Sequence, residues 1–224
     1  MRNDANQNSR ERPRNYNAEM LEVIQQETAR QKRPSLLLHS CCAPCSSSVL
    51  ERLAPHFQIS LLWFNPNIFP EEEFQKRLDA QRKLLRAMNL EESVKLIVTP
   101  WQNERYLERI QGLENEPEKG RRCEVCFRLR LEETARLARE GNYTYFCTTL
   151  TLSRHKNAPL INSIGEELAL KYNIPWLPSE FRKQNGEKRT SEICIAFDIY
   201  RQHYCGCQFS LRVPEPSPIQ PPTA

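Results

Sequence analysis

The sequence predicts an α/β fold: a parallel sheet flanked by helices on both faces. Three observations lead there. Short apolar runs alternate with longer segments whose apolar residues recur every three or four positions. Each apolar run stops at polar or turn-forming residues. The stretches between runs are long enough for the helical crossovers that parallel neighbours need.

Ser35–His39 (SLLLH) reads as the first strand, an apolar run that ends in a knot of cysteines. Ser46–Leu53 reads as a helix. Phe57–Phe64 (FQISLLWF) is the second strand, closed by Asn65-Pro66-Asn67, residue types that favour turns. Glu71–Leu90 is a long helix. Phe74, Leu78, Leu85 and Met88 lie near one face, and the acidic first turn complements the helix dipole. Val94–Thr99 is a third strand, stopped by Pro100. Glu124–Glu140 is a helix that opens on a CxxC and ends at Gly141, a favoured residue just past a helix. Tyr143–Thr148 is the fourth strand, Asn157–Tyr172 a helix, Ile174–Leu177 a brief extended piece and Ser191–His203 the last helix.

These elements make one domain over residues 18–211. The Asn- and Arg-rich arm 1–17 and the proline-rich tail 212–224 are expected to be disordered, having too little apolar content to pack. No internal repeat is visible. No apolar run approaches the roughly 18–20 residues that span a bilayer, and the opening residues lack the apolar stretch of a secretory signal. A cytoplasmic protein with no membrane partner is expected.

In a reducing compartment, cysteines stay free unless they bind metal or carry out redox chemistry. The chain has nine, an odd number that excludes complete pairing. Cys41, Cys42 and Cys45 form one knot, Cys123 and Cys126 a CxxC, and Cys205 and Cys207 a CxC. Cys147 and Cys194 stand alone in apolar surroundings and read as buried structural residues. In a parallel sheet, functional loops gather at the carboxyl ends of the strands. The knot follows the first strand, and a helix running antiparallel to the strands starts at that same edge. The CxxC and the knot should therefore converge. Their thiolates suit a [4Fe–4S] cluster or tetrahedral zinc, and spacing does not choose between them. A disulfide across the CxC would close a strained, readily reduced ring, suited to electron relay. The alternative is that these thiolates ligate metal.

The net charge of +4 gives weak support for a nucleic-acid partner. Arg121-Arg122 and the group Arg182, Lys183, Lys188 and Arg189 are candidate RNA contacts, or an ordinary solvated surface. Trp101 could stack on a base, whereas Trp63 and Phe64 lie in a strand and read as core. Ser153, Lys156 and Asn157 suit a phosphate or ribose contact at a helix start, or simple capping.

Four motifs, LLLHSCCAPCSS (Leu36–Ser47), RCEVCFRLRL (Arg122–Leu131), TTLTLSRHKN (Thr148–Asn157) and DIYRQHYCGCQFS (Asp198–Ser210), resemble those of the QueH epoxyqueuosine reductases, in the same order. The resemblance covers roughly Ser35–Leu211. It implies a fold like the adenine-nucleotide alpha-hydrolases and reduction of epoxyqueuosine to queuosine without cobalamin. The substrate would be the wobble position of tRNAs for Tyr, His, Asn and Asp. It implies a [4Fe–4S] cluster on Cys41, Cys42, Cys123 and Cys126, and a redox-active pair, Cys205 and Cys207, fed by an electron donor outside the chain. An additional iron is described in some members, and Cys45 could ligate one, be spare, or replace one of the four. No Ser/Gly-rich phosphate loop follows the first strand, so ATP use is not expected. Two electrons and two protons would remove the epoxide oxygen as water, and Tyr204, His203 or His155 could supply a proton. Three rival readings remain open: a colourless zinc-binding RNA-interaction module, a metal-free thiol–disulfide oxidoreductase, and an ATP-dependent tRNA thiolase.

Overall fold

A computed structural model of the protein describes residues 14–211. The expected tail, and the arm as far as residue 13, lie outside the described residues.

Four parallel strands form the sheet: β1 (Ser35–His39), β2 (Gln58–Trp63), β3 (Lys95–Val98) and β4 (Tyr145–Thr148), in the order β3-β2-β1-β4. β1 is central, with His39 opposite Leu62 on one side and Thr148 on the other. Its uninterrupted Leu36-Leu37-Leu38 fits a strand covered on both faces, and all three are fully buried. The chain steps from β1 to β2 to β3 in one direction, then crosses back to place β4 beyond β1. The reversal makes the crevice between the carboxyl ends of β1 and β4 the switch point of the sheet, where such folds bind ligands. Trp176 adds an isolated parallel bridge to Phe146, so the expected extended piece at 174–177 does join the sheet's edge. Helix packing is close there: a Cβ on Gly165 would fall 2.4 Å from the Trp176 ring.

Seven α-helices lie in the described residues: α1 (Tyr16–Ala29), α2 (Ala43–Leu53), α3 (Glu71–Ala87), α4 (Asn103–Arg109), α5 (Arg121–Glu140), α6 (Ala158–Tyr172) and α7 (Gly186–Ala196). α2 packs with α3 and α7, while α5 packs with α4 and α6. Crossovers between parallel strands are right-handed as a rule, and on either side of a reversal that rule puts the connecting helices on opposite faces.

Several readings of the sequence change, among them the helix starts, at Ala43 rather than Ser46 for α2 and at Arg121 rather than Glu124 for α5. α1 starts at Tyr16, inside the stretch assigned to the arm, because Asn15 caps it through Ala18 N–H at 3.1 Å and Tyr16, Met20 and Ile24 bury one stripe. The long helix ends at Ala87 rather than Leu90, with Asn89 at φ 54°. The last helix is not Ser191–His203. It runs from Gly186 to Ala196, and at Asp198 (φ 50°) the chain turns out of helical conformation. Lys83 holds that turn through the Asp198 carboxylate at 2.8 Å, and the Tyr200 hydroxyl bonds Glu73 at 3.1 Å. Tertiary contacts thereby draw residues 198–207 along α3 as a non-helical strap.

Candidate metal and redox centre

The knot is shaped by a helix start. Cys42 caps α2, its Sγ accepting the Cys45 N–H at 3.4 Å, and Pro44 sits in the first turn, where a missing N–H costs nothing. Capping bends the chain so that the sulfurs of Cys41, Cys42 and Cys45 all lie within 4.8 Å of one another, with Cys41 and Cys42 3.9 Å apart. Thr149 and Lys156, both beyond β4, close over the knot from across the switch point. Thr149 Oγ1 lies 3.4 Å from Cys41 Sγ, and Lys156 Nζ lies 3.9 Å from it.

Thiol hydrogen bonds from Cys42 and Cys45 hold Cys41 below the ordinary thiol range, with help from Lys156 against the cost of burial. Cys42 is pushed up to about 12 and Cys45 is also raised, first by their bonds to Cys41. One negative charge is therefore stable in the bare knot, and a second or third would sit against the first. A soft cation removes that conflict, which is why a triad of this kind fits a metal.

His39 braces the edge from which the knot springs. Its Nε2 lies 3.1 Å from the Phe64 carbonyl, which can only accept, so Nε2 carries the proton. Nδ1 then accepts from the Thr148 hydroxyl at 2.8 Å, and Thr148 Oγ1 accepts the Leu150 N–H at 3.2 Å. Burial first, then the Arg130 charge, lowers the imidazole to about 3.

The CxxC stands at the start of α5. Lys119 N–H donates to Cys123 Sγ at 3.2 Å, while Cys126 is buried and pushed up to about 11 chiefly by desolvation. One turn on, Arg130 is 4% exposed and its Nε donates to the Cys126 carbonyl at 3.1 Å. Among the described residues it has no carboxylate partner. Burial lowers its pKa, but attraction to Cys126, Cys41 and Cys205 outweighs that. Lys156 behaves likewise, burial opposed by Cys41 and Cys45. Two cations thus face sulfur instead of carboxylate.

The CxC is held by α3. Arg77, 1% exposed, pairs with Glu73 at 2.7 Å and donates to the carbonyls of Tyr204 and Cys205, both at 3.2 Å. Its guanidinium also lies 4.9 Å from the centre of the Tyr204 ring. Gly206 makes the turn at φ 107°, its carbonyl accepting Phe69 N–H at 2.9 Å. The two sulfurs part company: Cys205 is exposed, Cys207 buried with Tyr106 Oη 3.0 Å away.

Cys45, Cys123, Cys126, Cys205 and Cys207 all line one cavity of about 780 Å³, with Lys156 and Arg130 in its wall. The three motifs do converge at the carboxyl edge. The tight triad, however, is Cys41, Cys42 and Cys45; neither Cys123 nor Cys126 lies within its 4.8 Å. Cys147 and Cys194 are buried, as their apolar surroundings suggested.

His155 and His203 also line the cavity. The Tyr204 hydroxyl is engaged with the Phe69 carbonyl at 2.5 Å, an anchoring role. Asn157 caps α6 through Leu160 N–H at 3.1 Å. Arg122 is no surface cation: it is buried, and its Nη1 gathers the carbonyls of Leu113, Glu114 and Glu116. Arg182 is paired with Glu180, and Arg189 with Glu51 and Glu192, leaving Lys183 and Lys188 as exposed cations without a carboxylate among the described residues. Trp63 and Phe64 are core, and the Trp101 N–H is bound to the Ile68 carbonyl at 2.8 Å. Arg77, Tyr106 and Arg130 are absent from the sequence reading; no spacing rule marks them.

A parallel α/β sheet whose switch point opens on five cysteines, and on two cations with no carboxylate partner among the described residues, defines an α/β protein with a sulfur-lined pocket whose buried cysteine triad could hold a metal. Comparison with known proteins narrows this class. Residues 36–213 match the family model described as epoxyqueuosine reductase QueH. Over 200 residues the chain is 40% identical to the epoxyqueuosine reductase QueH of Staphylococcus epidermidis, covering 88% of this chain and 84% of that one. It is 38% identical to the Streptococcus pyogenes protein of the same name, covering 89% and 79%. With the Acinetobacter baylyi protein, also so named, identity is 39% over 79% of this chain and 80% of the other. The chain belongs to the epoxyqueuosine reductase QueH family.

No helix of the described residues is long and apolar enough to cross a membrane.

Proposed function

We propose that the protein reduces epoxyqueuosine in tRNA to queuosine, at the wobble position of tRNAs for Tyr, His, Asn and Asp. One observation carries the reading beyond the family's name: the knot, the CxxC and the CxC come from three distant parts of the chain and meet at one cavity. Balance fits a dithiol. Removing the epoxide oxygen as water takes two electrons and two protons, which is what Cys205 and Cys207 release on forming a disulfide.

Cys41, Cys42, Cys123 and Cys126 would hold a [4Fe–4S] cluster. The donor set suits it: soft sulfurs, largely buried, with Lys156 and Arg130 offsetting the negative charge of four thiolates. When bound, the cluster supplies electron storage and Lewis acidity toward the epoxide oxygen. The chain's own residues do the rest. Lys156 and Arg130 draw an anionic or oxygen-rich ligand inward, and His155 or His203 moves a proton at the cavity wall. Arg77 keeps the CxC against α3. Exposed Lys183 and Lys188 meet tRNA phosphates, and an external donor supplies the electrons.

Anaerobically purified protein should be brown with about four irons per chain, whereas a zinc module would be colourless. Cys123→Ala should lose most of the iron; full retention rejects this ligand set. Cys205→Ser with Cys207→Ser should abolish repeated turnover yet keep the iron near normal. Iron loss in that double variant makes the CxC a ligand pair and ends the relay reading. A second reading has its own support: the sulfur of Cys45 lies within 4.8 Å of both Cys41 and Cys42. Cys45 then replaces Cys126 as a ligand or holds an additional iron. Iron counts of Cys45→Ala and Cys126→Ala separate these cases.

A further inference from the structure

The two sulfurs of the CxC stand in opposite surroundings. Cys205 is exposed, with Ser210 Oγ 3.1 Å from its sulfur. Cys207 is buried, and the Tyr106 hydroxyl lies 3.0 Å from its Sγ. Tyr106 is 1% exposed and belongs to α4, an element 101 residues away in sequence, so the contact is not a by-product of the local turn. Burial raises the phenol's pKa, which keeps its proton in place as a donor.

Resting on the relay reading above, we infer that the oxidised pair is re-reduced by an external dithiol, which attacks the sulfur of Cys205 while Cys207 departs toward the Tyr106 hydroxyl. Thiol–disulfide exchange is an in-line displacement, and its rate depends on which sulfur can be reached and on how well the other leaves. Cys205 is the one a partner can reach. The Ser210 hydroxyl gives its proton to the Cys207 carbonyl at 2.7 Å, so the free side-chain hydroxyl donor is that of Tyr106, and it stands at Cys207, ready for the developing thiolate.

The steps balance. A thiolate of the donor bonds to Cys205 Sγ, the S–S bond breaks, and its electron pair goes to Cys207 Sγ. The donor's second thiolate then attacks its own sulfur in the mixed disulfide, releasing Cys205 and leaving the donor as a disulfide. The two protons of the donor dithiol end on Cys205 and Cys207. The enzyme pair gains two electrons and the donor loses two. With a monothiol, release of Cys205 from the mixed disulfide needs a second molecule, which leaves with the first as their disulfide, so after brief treatment the adduct of the first step is visible.

The test uses the full-length, cluster-loaded protein, its pair oxidised anaerobically with diamide. Glutathione is the monothiol probe and dithiothreitol the dithiol. Brief glutathione treatment, acid quench and peptide mass spectrometry should find the adduct on Cys205 in at least tenfold excess over Cys207. Tyr106→Phe keeps the buried ring and deletes the donor. It should slow reduction of the pair by dithiothreitol about tenfold, the kinetic equivalent of one hydrogen bond of about 1.4 kcal/mol. Adduct chiefly on Cys207 overturns the inference while leaving the relay intact, and so does an unchanged rate in Tyr106→Phe. Failure of the pair to form a disulfide at all overturns both. The adduct site is read on the unmodified protein, so it decides the matter even if the variant folds poorly.

Discussion

Arg77 joins α3 to the Cys205-Gly206-Cys207 segment, and its removal can be costed. The side chain is 2% exposed and its partner Glu73 12%, at an N–O distance of 2.7 Å. In Arg77→Met the stem volume survives but the guanidinium does not. Glu73 keeps only the Tyr200 hydroxyl, and the carbonyls of Tyr204 and Cys205 lose their shared donor. Breaking a buried ion pair from one side costs about 3–5 kcal/mol. The two carbonyl bonds, worth about 1 kcal/mol each, are largely contained in that figure. Residual water access at Glu73 pulls the estimate down, to about 3–4 kcal/mol. For a domain of this size each kcal/mol moves the melting midpoint by about 2–4 °C, so a fall of roughly 10 °C is expected. Thermal unfolding under anaerobic conditions measures it. Arg77→Met with Glu73→Leu should melt higher than Arg77→Met alone, because the stranded carboxylate is gone. A fall below about 2 °C, or strict additivity of the two substitutions, would refute the argument that this pair is what fastens the strap.

Gly206→Ala places a Cβ 2.9 Å from Arg77 Nη1 and 3.0 Å from Ile68 Cγ1 at a φ of 107°. It should cost about 2 kcal/mol and speed alkylation of the CxC thiols, with iron content unchanged. Glu133 is buried between Arg136 and Arg105; burial raises its carboxyl, and the two guanidinium groups outweigh that and hold it low. A depressed carboxyl stabilises the fold above its unfolded pKa and loses that contribution as pH falls through the folded value. Glu133→Gln should therefore be less stable at neutral pH and show a shallower acid limb in a melting-versus-pH series. Changing Lys183 and Lys188 to Glu should weaken tRNA binding and flatten its salt dependence by about one unit of slope per lost phosphate contact. Arg182→Glu should matter less to binding, because that side chain is already engaged with Glu180 at 2.6 Å.

Strands were the most legible part of the sequence. Ser35–His39 matches β1 residue for residue, because a doubly covered strand is an apolar run with hard polar ends. α4 was not readable: NERYLER is too short to show a helical period. α1 carries Tyr16, Met20 and Ile24 at helical spacing, but the polar arm before it hid the start. The misplaced end of α7 shows local pattern losing to tertiary contact, since residues after Ala196 continue a plausible helix until Lys83 and Glu73 draw them away. At the site, cysteine spacing marked every sulfur that lines the cavity. The groups that govern those sulfurs were invisible for a geometric reason. Tyr106 and Cys207 are 101 positions apart, and Arg77 and Cys205 are 128. Arg122 was misread because a helix-start arginine beside a charged neighbour looks solvated, whereas its job is to collect the carbonyls of the loop before α5.

A histidine at the mouth of a catalytic edge invites a role in proton traffic, but His39 has no proton or lone pair to spare. Its Nε2 proton is committed to the Phe64 carbonyl, beyond β2, and its Nδ1 lone pair to the Thr148 hydroxyl, on β4. The ring is better regarded as a rivet through three neighbouring strands, set just before the chain leaves β1 for the knot. Everything launched from that edge inherits its alignment: the turn through Asn65 and Asn67 on one side, Thr149 and Lys156 on the other. A leucine there would fill the space and free both flanks. The sulfurs would stay in the sequence, and their neighbours would no longer be held in register around them.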